Sequence, residues 1–181
     1  MKSLIAIGVV LVVVVASAAI YVYSGRYDVA ADSSDTTFVS WLLGTVSDRS
    51  VEAHAKNIQP PNTLTDETML VEGAGHYAEM CAGCHLAPGV GKDAIQSALN
   101  PEPPRLALPS DLSAAEMFWV IKHGVKMSGM PAWGKSHSDQ EIWAITAFVR
   151  RLPTLSAQGY QDYTTRARAA EASKHQEAHS G

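Results

Sequence analysis

The only two cysteines of the chain, Cys81 and Cys84, stand three positions apart, and His85 follows directly. This C-x-x-C-H pattern is the one through which a polypeptide attaches haem covalently. Each thiol can form a thioether with a vinyl group of the porphyrin, and the imidazole of His85 then lies under the ring within reach of the iron. The spacing therefore predicts one haem c, bound covalently through Cys81 and Cys84, with His85 as an iron ligand.

Other chemistries of a cysteine pair fit this sequence less well. A structural zinc site needs four ligands, and the sequence has no second cysteine pair and no histidine pair at zinc-finger distance from the motif. A thioredoxin-like redox pair belongs to a βαβ unit, and no strand pattern surrounds the motif. A Cys81–Cys84 disulfide would leave the adjacent histidine without a role.

A second iron ligand is predicted from Met130, which lies between Gly129 and Pro131. This setting is typical of a loop whose backbone approaches a flat ligand closely. A thioether is soft and neutral, so it favours ferrous iron and raises the reduction potential. The alternative ligands in or beside this loop are Met127, His123 and His137. The methionines on predicted helices, namely Met69, Met80 and Met117, are expected to fill gaps in the core.

Three helices are predicted to position these residues. The first runs over about 66–81 and contains Gly73 and Gly75, two small residues that let another helix cross closely. The second begins with a Ser-x-x-Glu capping box at Ser113 and ends at about residue 123, and the third begins with a capping box at Ser138 and continues to about residue 151. The apolar side chains of the third helix are expected to cover the glycines of the first. Between the first and second helices, residues 86–109 are rich in Gly and Pro and predict an irregular segment wrapped around a large cofactor.

An uncharged run from Leu4 to Tyr23 follows Lys2 at the N-terminus. Twenty residues of helix span about 30 Å, the thickness of the bilayer hydrocarbon. The lysine before the run and the aspartates after it favour a cytoplasmic N-terminus with the remainder of the chain outside. A cleaved signal peptide, processed after Ala16-Ser17-Ala18, is the alternative. Both interpretations export the domain, as haem c requires.

A further helix is predicted from Asp35 or Thr36, with apolar positions between Phe38 and Val51. It can lie on the haem domain or on the bilayer surface, or it can form a docking surface for a membrane partner. The predicted segments are a membrane anchor (1–24), a connector with one amphipathic helix (25–63), a cofactor domain (64–155) and a polar C-terminal tail (156–181) that is a loosely held helix or frayed.

These motifs resemble a class I monohaem cytochrome c, closest to the membrane-anchored bacterial periplasmic type. The resemblance covers about half of the chain and implies an all-α fold in which the first and last helices of the domain cross. It also implies axial ligation by His85 and Met130. Haem contacts are implied for Leu86, Pro88, Leu106, Arg105 and Trp133. Among these, Pro88 would supply the carbonyl that accepts the Nδ1 hydrogen of His85. Arg105 and Trp133 would either reach the propionates or be surface residues only.

An iron closed on both faces leaves outer-sphere electron transfer as the expected function: a tethered electron carrier at the bacterial inner membrane, facing the periplasm, rather than an enzyme. Its expected partners are redox proteins, without nucleic acid or a small-molecule substrate; the net charge of −4 gives no basis for nucleic-acid binding. Lys122, Lys126 and Lys135 near the methionine loop predict either a positive docking edge or a solvated lysine face without a partner. The alternatives are a permanent subunit of a larger membrane oxidoreductase, a peroxidase-like enzyme and a gas or redox sensor.

Overall fold

The structure, a computed structural model that describes residues 1–180, is all-helical, with no strand in that part of the chain. The helices are α1 (Lys2–Tyr23), α2 (Thr37–Ala55), α3 (Glu67–His76), α4 (Ala82–His85), α5 (Ala94–Ala98), α6 (Ala114–His123), α7 (Asp139–Arg151) and α8 (Ala157–Ser180). A π-helical turn, Tyr77–Cys81, joins α3 to α4, and 3₁₀ turns cover Trp133–Lys135 and Leu152–Thr154. The all-α prediction is confirmed.

The chain separates into two compact units, Met1–Asp35 and the remainder from Thr36 onward. The first unit contains α1, whose residues are all exposed and which is apolar over most of its length. Its 22 residues correspond to about 33 Å of helix, long enough to cross a bilayer. In length and composition, α1 is therefore a candidate membrane span. The predicted connector helix and C-terminal tail both fall in the second unit, together with the cofactor segment.

The centre of the second unit is the crossing of α3 and α7. Gly73 lies so close to α7 that a Cβ atom built on it would be 2.0 Å from the carbonyl oxygen of Ala144. The apolar face of α7 closes the core at this point, with Ile142, Ile145 and Phe148 fully buried. The predicted pairing of the glycine-containing helix with the last helix of the domain is correct, and Gly73 is the residue that permits it.

Both predicted capping boxes are present. At the start of α6, Ser113 Oγ accepts from the Glu116 amide at 3.3 Å, and the Glu116 carboxylate accepts from the Ser113 amide at 2.7 Å. Ser138 and Glu141 make the same pair at the start of α7. Hydrogen bonds from Ser113 and Ser138 lower the pKa of Glu116 and of Glu141 respectively. These local signals fix where the two helices begin.

The C-terminal segment is a helix, and its first half is not loosely held. Thr164 and Ala167 of α8 are buried, and a Cβ atom on Gly75 of α3 would lie 3.3 Å from the Cβ of Ala167. Arg166 forms an ion pair with Glu67 at the start of α3. The second glycine of α3 therefore faces α8, a partner that the sequence analysis did not assign to it.

Glu67→Gln is expected to weaken this attachment of α8 by less than about 1 kcal/mol, because the ion pair is exposed. The hydrogen bond from Arg166 lowers the pKa of Glu67 below its ordinary value of 4.5. The folded-state pKa is the lower one, so the stabilisation is present above the ordinary value and is lost as the pH falls through the folded-state pKa. Denaturant unfolding at pH 7 and at pH 3 measures this, with the exposed Glu79→Gln as control. A difference between wild type and Glu67→Gln that is larger at pH 3 than at pH 7 would contradict it.

Candidate haem site

The cysteine motif lies where the helical run changes geometry. The predicted helix over 66–81 is present as α3 and the π-helical turn, and helical structure continues through α4 to His85. Single π-helical turns are frequent at functional sites. Cys81 is buried in the hydrophobic core, Cys84 is half-buried, and both are free thiols. Burial raises the pKa of the Cys81 thiol to about 12, so this thiol is protonated at neutral pH.

The chain turns sharply after the motif. Leu86 ends α4 with φ 62°, in the left-handed region that a residue with a branched side chain rarely adopts. Its carbonyl accepts a hydrogen bond from the buried Tyr77 hydroxyl at 2.5 Å. Tyr77 precedes Cys81, and Leu86 follows His85. This hydrogen bond therefore links the two ends of the segment that carries both thiols and the imidazole. Tyr77 is a positioning residue that the sequence analysis missed, since nothing in the local pattern marks it.

The imidazole of His85 is held by Pro104, not by Pro88 as predicted. The distance from His85 Nδ1 to the Pro104 carbonyl oxygen is 2.8 Å. The left-handed turns at Leu86 and at Gly89, with φ 82°, send the chain away from the motif directly after His85. Pro88 is buried at this bend, and the carbonyl that reaches the imidazole comes from the far end of the Pro-rich segment.

This hydrogen bond determines the chemistry of the ring. A carbonyl oxygen is only an acceptor, so Nδ1 carries the hydrogen and Nε2 keeps its lone pair. Burial lowers the pKa of His85, although the bond to Pro104 acts in the opposite direction. The ring is therefore a neutral imidazole with a defined tautomer, the form in which histidine binds metals.

Side chains of the Gly- and Pro-rich segment, residues 86–109, keep Pro104 in place. Gln96, fully buried in α5, donates through Nε2 to the Pro103 carbonyl at 3.3 Å. Arg105 Nη2 donates to the Val90 carbonyl at 3.2 Å, and Lys92 pairs with Glu102 at 2.7 Å. Gln96 was not singled out from the sequence because its role depends on a contact across an irregular loop. The guanidinium of Arg105, predicted to reach a propionate, has the Val90 carbonyl as its partner here.

The methionine loop is a compact turn. Ser128 Oγ accepts from the Met130 amide at 3.1 Å and donates to the Val125 carbonyl at 2.8 Å. The Met130 side chain is half-buried and packs on the core cluster that contains Cys81, whereas Met127 is 92 % exposed. Gly124, with φ 65°, ends α6 and would bring a Cβ atom within 2.7 Å of the Met130 carbonyl oxygen. The loop thus turns one methionine inward and the other outward.

Some of the remaining predicted residues pack on this core, and others contact aromatic rings. Leu106 and Trp133 pack on the same cluster as Met130. His123 contacts the ring of Trp119 at 5.0 Å between centroids, and His137 contacts Trp133 at 5.6 Å. The two histidines beside the loop therefore have aromatic partners. Met80 and Met117 lie in or against the core, as packing residues do.

Comparison with known families identifies this region. A family model described as cytochrome c oxidase, cbb3-type, subunit III, matches residues 68–149. The matched segment begins in α3, contains the cysteine motif, the wrap and the Met130 loop, and ends in α7. This segment is a class I monohaem c-type cytochrome domain. The match covers less than half of the chain and leaves α1, α2 and α8 outside it, and no curated protein and no solved structure matches.

A cytochrome c domain implies covalently bound haem c and electron transfer. The residues present fit that group. Two free thiols lie three positions apart, a neutral imidazole follows with Nε2 available, and the thioether of Met130 is turned toward the core that contains Cys81. The family thus accounts for a donor set that comes from two separate segments of the cytochrome domain, the cysteine motif and the methionine loop.

Proposed function

We propose that this chain is a membrane-tethered cytochrome c that carries single electrons between redox proteins on the periplasmic side of the bacterial inner membrane. The observation that supports it most is the hydrogen bond between His85 Nδ1 and the Pro104 carbonyl. It presents a neutral imidazole nitrogen directly after two free thiols, as an axial haem ligand requires.

In this proposal Cys81 and Cys84 would hold one haem through thioethers, and His85 Nε2 and Met130 Sδ would bind its iron. When bound, the haem supplies an iron that alternates between the ferrous and ferric states. Leu106, Pro88 and Trp133 would exclude water from the ring, and Arg105, which donates to the Val90 carbonyl here, would be available to the propionates. Because two protein side chains would bind the iron, the haem would supply outer-sphere electron transfer without a bound substrate.

The anchor in this proposal is α1. Lys2 is the first residue of α1, and Asp28, Asp32 and Asp35 follow the helix, which favours a cytoplasmic N-terminus. The cytochrome domain then lies outside the cytoplasm, where haem c is attached.

A second candidate function is supported by the family description. Cytochrome c oxidase subunit III of the cbb3 type is named as part of an oxidase, so this chain can be a permanent cytochrome subunit of a larger membrane complex. Gentle extraction of the membrane separates the two proposals: a carrier purifies alone, whereas a subunit co-purifies in fixed stoichiometry with an oxidase.

Covalent attachment through the motif is tested by extraction with acidified acetone. The pigment is expected to stay with the wild-type protein, because thioethers survive acid that releases a coordinated haem. Cys81→Ala/Cys84→Ala should lose all retained pigment, and Met130→Ala should keep it in full. Release of the pigment from the wild-type protein would overturn the proposal.

The three lysines of the proposed docking edge differ in their surroundings. Lys122 forms an ion pair with Asp139 at 2.6 Å and is mostly buried, whereas Lys126 and Lys135 are exposed. Lys126→Gln/Lys135→Gln should therefore slow electron transfer to an acidic partner by roughly tenfold at low ionic strength. The difference should vanish at high salt because the charges are screened.

Lys56→Gln/Lys174→Gln is the charge-matched control for this experiment, since both lysines are exposed and distant in sequence from the methionine loop. Stopped-flow measurement of the transfer rate against ionic strength reads out both variants. Equal rates for the two double variants would show that docking does not use the Met130 side of the domain.

A further inference from the structure

Helix α2 has two halves with different surroundings. In its second half, Val51 and Ala55 are buried, and the ring of His54 contacts Trp119 of α6 at 5.2 Å between centroids. In its first half, the large apolar side chains stay exposed, Phe38 by 65 % and Trp41 by 62 %. The others of this exposed set are Leu42, Leu43 and Val46. One option predicted from the sequence was that this helix lies on the haem domain. Only its second half does so.

The exposed half is amphipathic without being charged. At 3.6 residues per turn, Trp41, Phe38, Leu42 and Val46 lie on one side of the helix together with Thr45, and Ser40, Gly44 and Ser47 lie on the other, with Leu43 at the edge between them. No charged residue occurs from Thr36 to Ser47. Twelve residues of helix measure about 18 Å, too short to span a bilayer. A helix with these properties suits an apolar boundary that it lies along rather than crosses.

We propose that this apolar face of α2 lies in the headgroup–acyl boundary of the bilayer that holds α1. The inference rests on the proposed membrane anchoring. Thirteen residues, 24–36, separate the end of α1 from α2, so the start of α2 is always within about 50 Å of the end of the membrane span. The bilayer is therefore an apolar phase that α2 can reach through its own linker. Tryptophan residues such as Trp41 are enriched at the membrane–water interface.

The charges around the face specify the lipid. Asp35 and Asp48 flank the uncharged segment, and the linker before it carries Asp28 and Asp32 with a single cation, Arg26. The nearest cation on α2, Arg49, is paired with Glu52 at 2.9 Å. Interfacial helices that bind anionic membranes carry an excess of lysine and arginine. The acidic surroundings here match neutral, zwitterionic headgroups instead.

The contact would orient the cytochrome domain. The second half of α2 packs on α6, and α6 ends at Gly124 against the backbone of Met130 and Pro131. If this face of α2 lies in lipid, the orientation of the Met130 side of the domain relative to the membrane is therefore fixed. A flexible linker alone would not fix that orientation.

The test uses the full-length holoprotein in phosphatidylcholine nanodiscs, with a nitroxide label on Leu42→Cys, on Ser40→Cys as the control on the opposite face, or on Val12→Cys in α1. Because Cys81 and Cys84 are in thioethers in the holoprotein, the label reacts only with the introduced cysteine. The ferrous protein is used because its low-spin iron is diamagnetic and does not relax the label. Electron paramagnetic resonance measures how far oxygen, enriched in lipid, and a water-soluble nickel complex each relax the label.

The ratio of oxygen to nickel accessibility is expected to be several-fold higher at residue 42 than at residue 40, and high at residue 12. A low ratio at residue 42 with a high ratio at residue 12 overturns the lipid contact while leaving the anchor intact. A low ratio at both overturns the anchor and this inference together. Protection of residue 42 from both reagents means that protein covers the face, a partner or a second copy, and also overturns it.

Discussion

Alanine at position 73 is expected to destabilise the cytochrome domain by more than about 3 kcal/mol, above the usual range for overpacking. The added Cβ would meet the Ala144 carbonyl oxygen at 2.0 Å and the Phe148 Cβ at 2.9 Å. The first contact is with the backbone of a helix, which no rotamer change can relieve. Alanine would otherwise favour α3 by about 1 kcal/mol through helix propensity, so the clash must exceed that gain. Denaturant unfolding of the holoprotein, followed by haem absorbance, measures the loss.

Two glycines provide matched controls for Gly73→Ala. A Cβ on Gly75 would lie 3.3 Å from that of Ala167, and one on Gly44 in α2 would meet nothing within 4 Å. Gly75→Ala should therefore have a small effect, and Gly44→Ala should be neutral or stabilising by up to about 1 kcal/mol. Equal stabilities for Gly73→Ala and Gly44→Ala would show that α3 and α7 do not cross as described.

Met130→Ala is expected to lower the reduction potential by more than about 120 mV, two tenfold steps of a one-electron equilibrium. As the proposed iron ligand, the neutral, soft thioether would favour the ferrous state, and its loss would leave that position to water. The ferric protein should also lose its methionine-to-iron charge-transfer band, and the ferrous protein should gain carbon monoxide binding. Spectroelectrochemical titration and optical spectra of the purified holoprotein measure these changes.

Met127→Ala is the control for this experiment. Its side chain is 92 % exposed, three residues from Met130 in the same loop, so the variant removes a thioether without altering the inward one. The potential and the charge-transfer band should stay at their wild-type values. If Met127→Ala lost the band and Met130→Ala kept it, the assignment of the inward methionine as ligand would be wrong.

Features encoded within a few residues were predictable. The C-x-x-C-H motif, the two capping boxes and the apolar run of α1 are each read from neighbouring positions, because covalent attachment, helix initiation and membrane insertion depend on local chemistry. The pairing of α3 with α7 was also predictable, since glycines on one helix and a continuous apolar stripe on the other leave few arrangements that bury both.

What required the tertiary structure was the choice among distant partners. The acceptor for His85 is Pro104 rather than Pro88 because the left-handed turn at Leu86 redirects the chain. Lys122 is paired with Asp139, and α8 is fastened to α3 through Glu67 and Gly75. In each case several residues of the right type compete in the sequence. Only the path of an irregular segment or the meeting of two helices brings one of them within contact distance.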